Sequence, residues 1–132
     1  MPGPIDGIAE VALWVDDVER SLEFYRDTLG LEVADYDPGH HAFLKAGPSL
    51  LVIFSRTEPN TVLAREYLAR TGGPRGDVYH IALRMPTDAL DLMAETLRSG
   101  GKAVKGPVEF AGGRRSYFLD DPDEHYLELT DV

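Results

Sequence analysis

The chain reads as an α+β fold made of two βαβββ modules, on three observations. Residues 10–30 overlay residues 80–100 without a gap: Glu10-Val11-Ala12-Leu13 falls on His80-Ile81-Ala82-Leu83, Leu22 on Leu92 and Gly30 on Gly100. In both copies an alternating apolar run passes into apolar residues at helical spacing and stops at glycine. Each helical stretch is then followed by short strand-like runs divided by Gly, Pro and Asp turns.

Taken in order, Ile8 to Val15 is apolar except for Glu10. Alternation places Ile8, Glu10, Ala12 and Trp14 on one face and Val11, Leu13 and Val15 on the other, which suits packing against a helix. Asp16-Asp17 supplies an N-cap for a helix over Val18 to Leu29, with the stripe Val18, Leu22, Tyr25 and Leu29 and the stop at Gly30. Strands follow over Leu31–Tyr36, His41–Ala46 and Ser49–Phe54, broken at Asp37-Pro38-Gly39 and Gly47-Pro48. Thr61 to Thr71 reads as a connecting helix before a Gly72-Gly73-Pro74-Arg75-Gly76 break. The second copy runs as a strand over Val78–Met85 and a helix over Asp88–Ser99. Thr87 is its expected cap, and Leu90, Met93, Ala94 and Leu97 are its buried face. Strands near Ala103–Phe110, Ser116–Leu119 and Tyr126–Thr130 complete it. The expected organisation is one domain over 1–132, its modules spanning about 5–56 and 76–132 and joined by the helix near 61–71.

Composition bounds the function. The formal charge is −10, from 13 Lys and Arg against 23 Asp and Glu, with no basic cluster beyond Arg114-Arg115, which argues against nucleic acid. No apolar run is long enough to span a bilayer, so no membrane partner is expected. Met1-Pro2-Gly3-Pro4 has neither the basic nor the apolar region of a secretion signal, and a cytoplasmic location is the default expectation. With no cysteine, any metal must be held by His and carboxylates.

Three residues stand out for chemistry. Period 2 aligns Glu10 with the inward residues of the first strand and His80 with those of its repeat, while Tyr126, Glu128 and Thr130 share a face opposite Leu127 and Leu129. An ionised Glu inside an apolar strand is costly unless it meets a cation or hydrogen-bond donors. If the three converge, they form an O/N ligand set for a divalent metal, but strand spacing alone does not prove convergence. Of the adjacent His40 and His41, alternation sends one inward, and His41 is the candidate acid or base, against the plainer reading of a surface or strand-edge histidine. Trp14 and Tyr126 are candidate walls for an apolar or aromatic substrate, or simple fillers of the sheet face. Arg84 shares the face of His80 and is a candidate for a substrate carboxylate or a structural ion pair. Arg114-Arg115, in a Gly-Gly-Arg-Arg hairpin, is expected to be exposed.

The stretch Glu10 to Tyr25 with its Asp-x-x-x-Ser-x-x-Phe-Tyr pattern, the Leu29-Gly30 stop, Tyr79-His80-Ile81-Ala82-Leu83 and Phe118-Leu119-Asp120-Asp121-Pro122-Asp123-Glu124-His125-Tyr126-Leu127-Glu128-Leu129 together resemble the vicinal oxygen chelate superfamily. That superfamily includes glyoxalase I, extradiol dioxygenases, fosfomycin-resistance enzymes and bleomycin-resistance proteins. The resemblance implies two modules joined in a curved, half-open mixed sheet, with helices on the convex side and a metal on the concave face. It implies His80 and Glu128 as metal ligands, with Glu10 where many members carry His, as ligand or general base. The glyoxalase-like fourth ligand is missing, because the closing strand of the first module reads Leu50-Leu51-Val52-Ile53. Glu124 stands where the family's turn has Gly.

The expected function is therefore a metal-dependent enzyme (Fe, Mn, Ni or Zn) acting on a small-molecule substrate with vicinal oxygens. The three-ligand set slightly favours dioxygenase-like over glyoxalase- or epimerase-like chemistry, while Glu in place of His at position 10 pulls the other way. The alternative is a non-catalytic, ligand-sequestering protein of the bleomycin-resistance type, and a third is a degenerate structural module. The resemblance and the exposed edges of a half-open sheet also imply a homodimer.

Overall fold

Leu13 and Val15 are buried while Glu10, Ala12 and Trp14 are exposed, the two-sided strand that the alternation predicts. The computed structural model describes residues 3–71 and 78–131, with the side chains at 60, 61, 64, 65 and 68 outside the description. The Gly72–Gly76 break lies outside the described residues. The chain forms two compact units, Met1–Arg75 and Gly76–Val132.

In the first unit the order is β1 (Glu10–Val15), α1 (Val18–Leu22) running on into a π-helical segment (Glu23–Thr28), β2 (Glu32–Asp37), β3 (His41–Ala46), β4 (Ser49–Ser55) and α2 (Pro59–Thr71). The sheet order is β1-β4-β3-β2, with β1 parallel to β4 and the other pairs antiparallel. Asp17 caps α1 by accepting from the Arg20 amide at 3.1 Å, as expected. The helix then departs from the single α-helix expected over Val18–Leu29. Its second half widens to i→i−5 bonding, with Leu29 N donating to Phe24 O at 2.9 Å. In the widened turn the adjacent Phe24 and Tyr25 are both buried, their rings edge to face at 5.0 Å, and Leu29 is only half-buried. Gly30 follows in the left-handed region at φ 82°. α1 packs on β3 and β4, where Leu44, Leu51 and Ile53 are fully or almost fully buried.

The second unit repeats the topology: β5 (Ile81–Arg84), α3 (Thr87–Ser99), β6 (Lys105–Glu109), β7 (Arg115–Asp120) and β8 (Tyr126–Thr130), in sheet order β5-β8-β7-β6 with β5 parallel to β8. β5 is shorter than the expected Val78–Met85, so His80 stands one residue ahead of it. Leu90, Ala94 and Leu97 bury the inner face of α3, which packs on β7 and β8. Thr87 is not the cap. It is the first helical residue, behind Pro86, and its hydroxyl donates to Asp131 Oδ2 at 3.1 Å. Arg115 was expected to be exposed but is largely covered. Its guanidinium bonds Asp91 of α3 at 2.8 Å and Glu109 at 2.6 Å. Tyr117 also donates to Asp91, and together these bonds hold that carboxyl below its ordinary pKa and tie helix to sheet.

Two backbone positions carry strain or close approach. Glu124 sits at φ 67°, the left-handed region that disfavours a side chain with Cβ, in the turn where Asp121 Oδ1 accepts from the amides of Asp123 and His125. Gly106 has φ 121°, and a Cβ there would come within 2.9 Å of the Ser116 carbonyl oxygen. Glu124→Gly is therefore expected to stabilise the chain by about 1 kcal/mol. Gly106→Ala is expected to destabilise it by more than about 1 kcal/mol, both read as shifts in a urea unfolding midpoint.

Candidate functional site

Along β8, Leu127 and Leu129 turn towards α3, which leaves Tyr126, Glu128 and Thr130 on the opposite sheet face. Register sets their neighbours. Glu128 lies between Ala82 of β5 and Phe118 of β7, and Thr130 lies between Arg84 and Ser116. Glu128 is only 3% exposed, yet both of its oxygens are engaged. His80 Nε2 lies 3.0 Å from Oε1. The Arg114 guanidinium donates to Oε2 at 2.9 Å, and the Ser116 hydroxyl donates to the same oxygen at 2.6 Å. Arg114 is anchored a second time, through Nε to Thr130 Oγ1 at 3.0 Å. The expectation that Arg114 is exposed is thus corrected: its side chain is 35% exposed and faces the carboxylate. Burial pushes the Glu128 carboxyl up, but the Ser116 bond, the Arg114 charge and bond, and His80 outweigh it and leave the pKa below the ordinary value.

Aromatic rings border this pair. Phe118 and Tyr126 stack at 5.6 Å and 15°, and Tyr79 tilts beside Tyr126 at 6.3 Å. Tyr79 also meets the His80 ring edge to face at 4.3 Å, and Lys105 Nζ stands 6.0 Å over the Tyr126 ring. Arg84 is exposed and four residues from His80 along the chain, about 13 Å in extended backbone. It lines a shallow pocket with Met85, Pro86, Thr87 and Asp131 instead.

The first unit holds the other predicted residues. Glu10, the first residue of β1, is exposed and makes no hydrogen bond or ion pair within its own unit among the described residues. Water can satisfy its charge, so the desolvation argument for a cation at Glu10 lapses. Trp14 is 37% exposed on the same sheet face. His41 is packed edge to face against Phe43 and Phe54, with Nε2 3.0 Å from Asp35 Oδ2. The repeat register makes the contrast between modules explicit. Ala12 pairs with Val52 where Ala82 pairs with Glu128, and His41 pairs with Phe54 where Ser116 pairs with Thr130. The polar centre of the second sheet is thus replaced by an apolar one in the first.

Two ligands of one divalent ion, each about 2.0–2.2 Å from it, lie about 3 Å apart. The His80 Nε2 to Glu128 Oε1 separation of 3.0 Å is that of a direct ion pair and also falls at that spacing, and an imidazole–carboxylate pair suits Fe, Mn, Ni or Zn. The pair therefore fits two adjacent ligand positions. Within the second unit no third His, Asp or Glu joins it among the described residues. His80 Nδ1 is buried without a hydrogen-bond partner among the described residues, so the outer bond that usually orients a ligating imidazole is lacking there. Thr130, already aligned with Glu128 by alternation, and Arg114 and Ser116, which were missed in the sequence, complete the centre. Their signal was the period-2 series Arg114, Ser116, Phe118 beside β8.

The lowered Glu128 pKa fixes the sign of a pH effect. Its stabilisation is fully present above the unfolded-state carboxyl value and is lost as pH falls through the lower folded value. Glu128→Gln is expected to make the decline of unfolding free energy with acid shallower than in the wild type, measured by urea titrations between about pH 7 and about pH 3. At neutral pH, Arg114→Ala is expected to cost about 1–3 kcal/mol in the same assay, by leaving a buried acceptor underbonded.

Comparison with known proteins agrees with this fold. The chain is 25% identical over 130 residues to the virulence protein STM3117 of Salmonella typhimurium, covering 96% of this chain and 84% of that one. Among solved structures it is similar to the integron cassette protein HFX_CASS4 from the mobile metagenome of the Halifax Harbour sewage outfall. That match has a TM-score of 0.72 and 26% identity, covering 97% of this chain and all 100% of the other. The lactoylglutathione lyase of Agrobacterium tumefaciens gives a TM-score of 0.72 at 24% identity over 98% of this chain and 96% of that one, a likeness of fold alone. The family model described as Glyoxalase/Bleomycin resistance protein/Dioxygenase superfamily matches residues 7–129, nearly the whole chain, and the protein belongs to that superfamily.

Proposed function

We propose that the protein is a metal-dependent enzyme acting on a small substrate with two neighbouring oxygens, with His80 and Glu128 as two of its metal ligands and Glu10 as the third ligand or a general base. The observation that carries this reading is the 3.0 Å approach of His80 Nε2 to Glu128 Oε1 on one sheet face. A divalent ion held there supplies Lewis-acid stabilisation of charge developing on the substrate oxygens. The chain's own residues do the rest. Ser116 and Arg114 hold Glu128 ionised and in one rotamer, so the carboxylate needs no reorganisation to serve. The Phe118–Tyr126 stack, with Tyr79 beside it, offers a flat apolar wall that orients a planar substrate next to the pair. A set of three protein ligands leaves room for substrate, and on that count dioxygenase-like chemistry is slightly favoured over glyoxalase- or epimerase-like proton transfer.

A second reading has one specific observation behind it. Arg114 already supplies a cation to Glu128, which suits a ligand-sequestering protein that uses no metal. Metal analysis of gently purified, untagged protein separates the two. The enzyme reading expects about one divalent ion per chain, lost in His80→Ala and in Glu128→Ala. A protein that neither copurifies with a metal nor binds added iron, manganese, nickel or zinc overturns it in favour of sequestration.

A further inference from the structure

The Arg114 contact bears on the proposed metal site in a way that its ligands alone do not. Glu128 offers a divalent ion only the oxygen that faces His80, because Oε2 is covered by the Arg114 guanidinium at 2.9 Å and by Ser116 at 2.6 Å. The carboxylate side chain is 4% exposed and that of Arg114 35%, so the pair is shielded from water on the Glu128 side. The guanidinium is also fixed from outside the pair, by Thr130 Oγ1 at 3.0 Å and by the Phe110 ring, 5.8 Å from the guanidinium carbon. A cation pinned on one oxygen of a poorly hydrated carboxylate repels a second cation arriving at the other. It also withdraws charge that the carboxylate would otherwise give to a metal.

We infer that Arg114 is a built-in counter-ion that competes with a divalent metal for Glu128, holding the carboxylate ready in the metal-free protein and weakening its grip on the ion. The inference rests on the reading of His80 and Glu128 as metal ligands. It makes Arg114 a positioning residue that tunes metal affinity from the far oxygen. A purely structural Arg114 would lower stability when replaced and leave metal affinity no better than before. A competing counter-ion would lower metal-free stability and raise metal affinity together.

The test is calorimetric titration of Mn²⁺ or Zn²⁺ alone into the full chain for the wild type, Arg114→Gln, Arg114→Lys and Glu128→Gln, with thermal melts of each with and without metal. The expected result is binding about tenfold or more tighter in Arg114→Gln. Arg114→Lys, which keeps a charge but not the two-point anchor, is expected to fall between, and Glu128→Gln to lose binding. The metal-induced rise in melting temperature is expected to be larger in Arg114→Gln than in the wild type, because the ion replaces the missing cation. If Arg114→Gln is too unstable to titrate, the ordering of Arg114→Lys above wild type decides the matter. Equal or weaker affinity in the Arg114 variants, with binding still abolished in Glu128→Gln, overturns the counter-ion role and leaves the metal site standing. Failure of every protein to bind either ion overturns both.

Discussion

An ionised carboxylate almost without water is the constraint around which the second sheet is arranged. Glu128 stands in a strand whose neighbours Leu127 and Leu129 are buried, and its own position is scarcely more exposed than theirs. A charge there persists only if donors replace the lost solvent. The strand order provides them: β7 brings Ser116 beside Thr130, the hairpin before β7 turns Arg114 back over the same face, and the short β5 lets His80 close from the other side.

The duplicated fold repeats the backbone without the chemistry. Both modules use the same strand order and the same parallel pairing of first and last strands. Yet the register that gives Glu128 and Thr130 in one gives Val52 and Phe54 in the other. One sheet face is a network of donors around a charge and the other is a cluster of rings around His41. Divergence at a few positions of one sheet face thus leaves a hydrogen-bonded charge at the centre of the second module and an aromatic cluster at that of the first.

Much of this was legible in the sequence because strand periodicity survives burial. The alternation of Leu13 and Val15 with Ala12 and Trp14, and of Leu127 and Leu129 with Glu128, assigns faces correctly in both modules. The turns at Gly39 and Gly47 fall where their positive φ demands glycine. Other features depend on facts that a period does not carry. The widened turn after Leu22 was hidden because a stripe read at 3.6 residues assumes the very geometry in question. Glu10 keeps the face that alternation gave it, yet as the first residue of its strand it is exposed, so a period alone overstated the cost of its charge. Arg114 and Arg115 looked like hairpin surface because two glycines precede them. Whether a flanking arginine folds back over a sheet is decided by what waits for it there, Glu128 and Thr130 for one and Asp91 and Glu109 for the other.

Trp14 is the one tryptophan of the chain, and it lies on the first sheet with 37% of its surface exposed, whereas the second unit carries only tyrosine and phenylalanine. Red-edge excitation therefore lights one module and leaves the other dark. Emission from the indole follows the environment of the apolar sheet face, while the ellipticity of the backbone reports on both units at once. The protein carries an intrinsic optical label by which loss of structure in the first module can be timed against that of the whole.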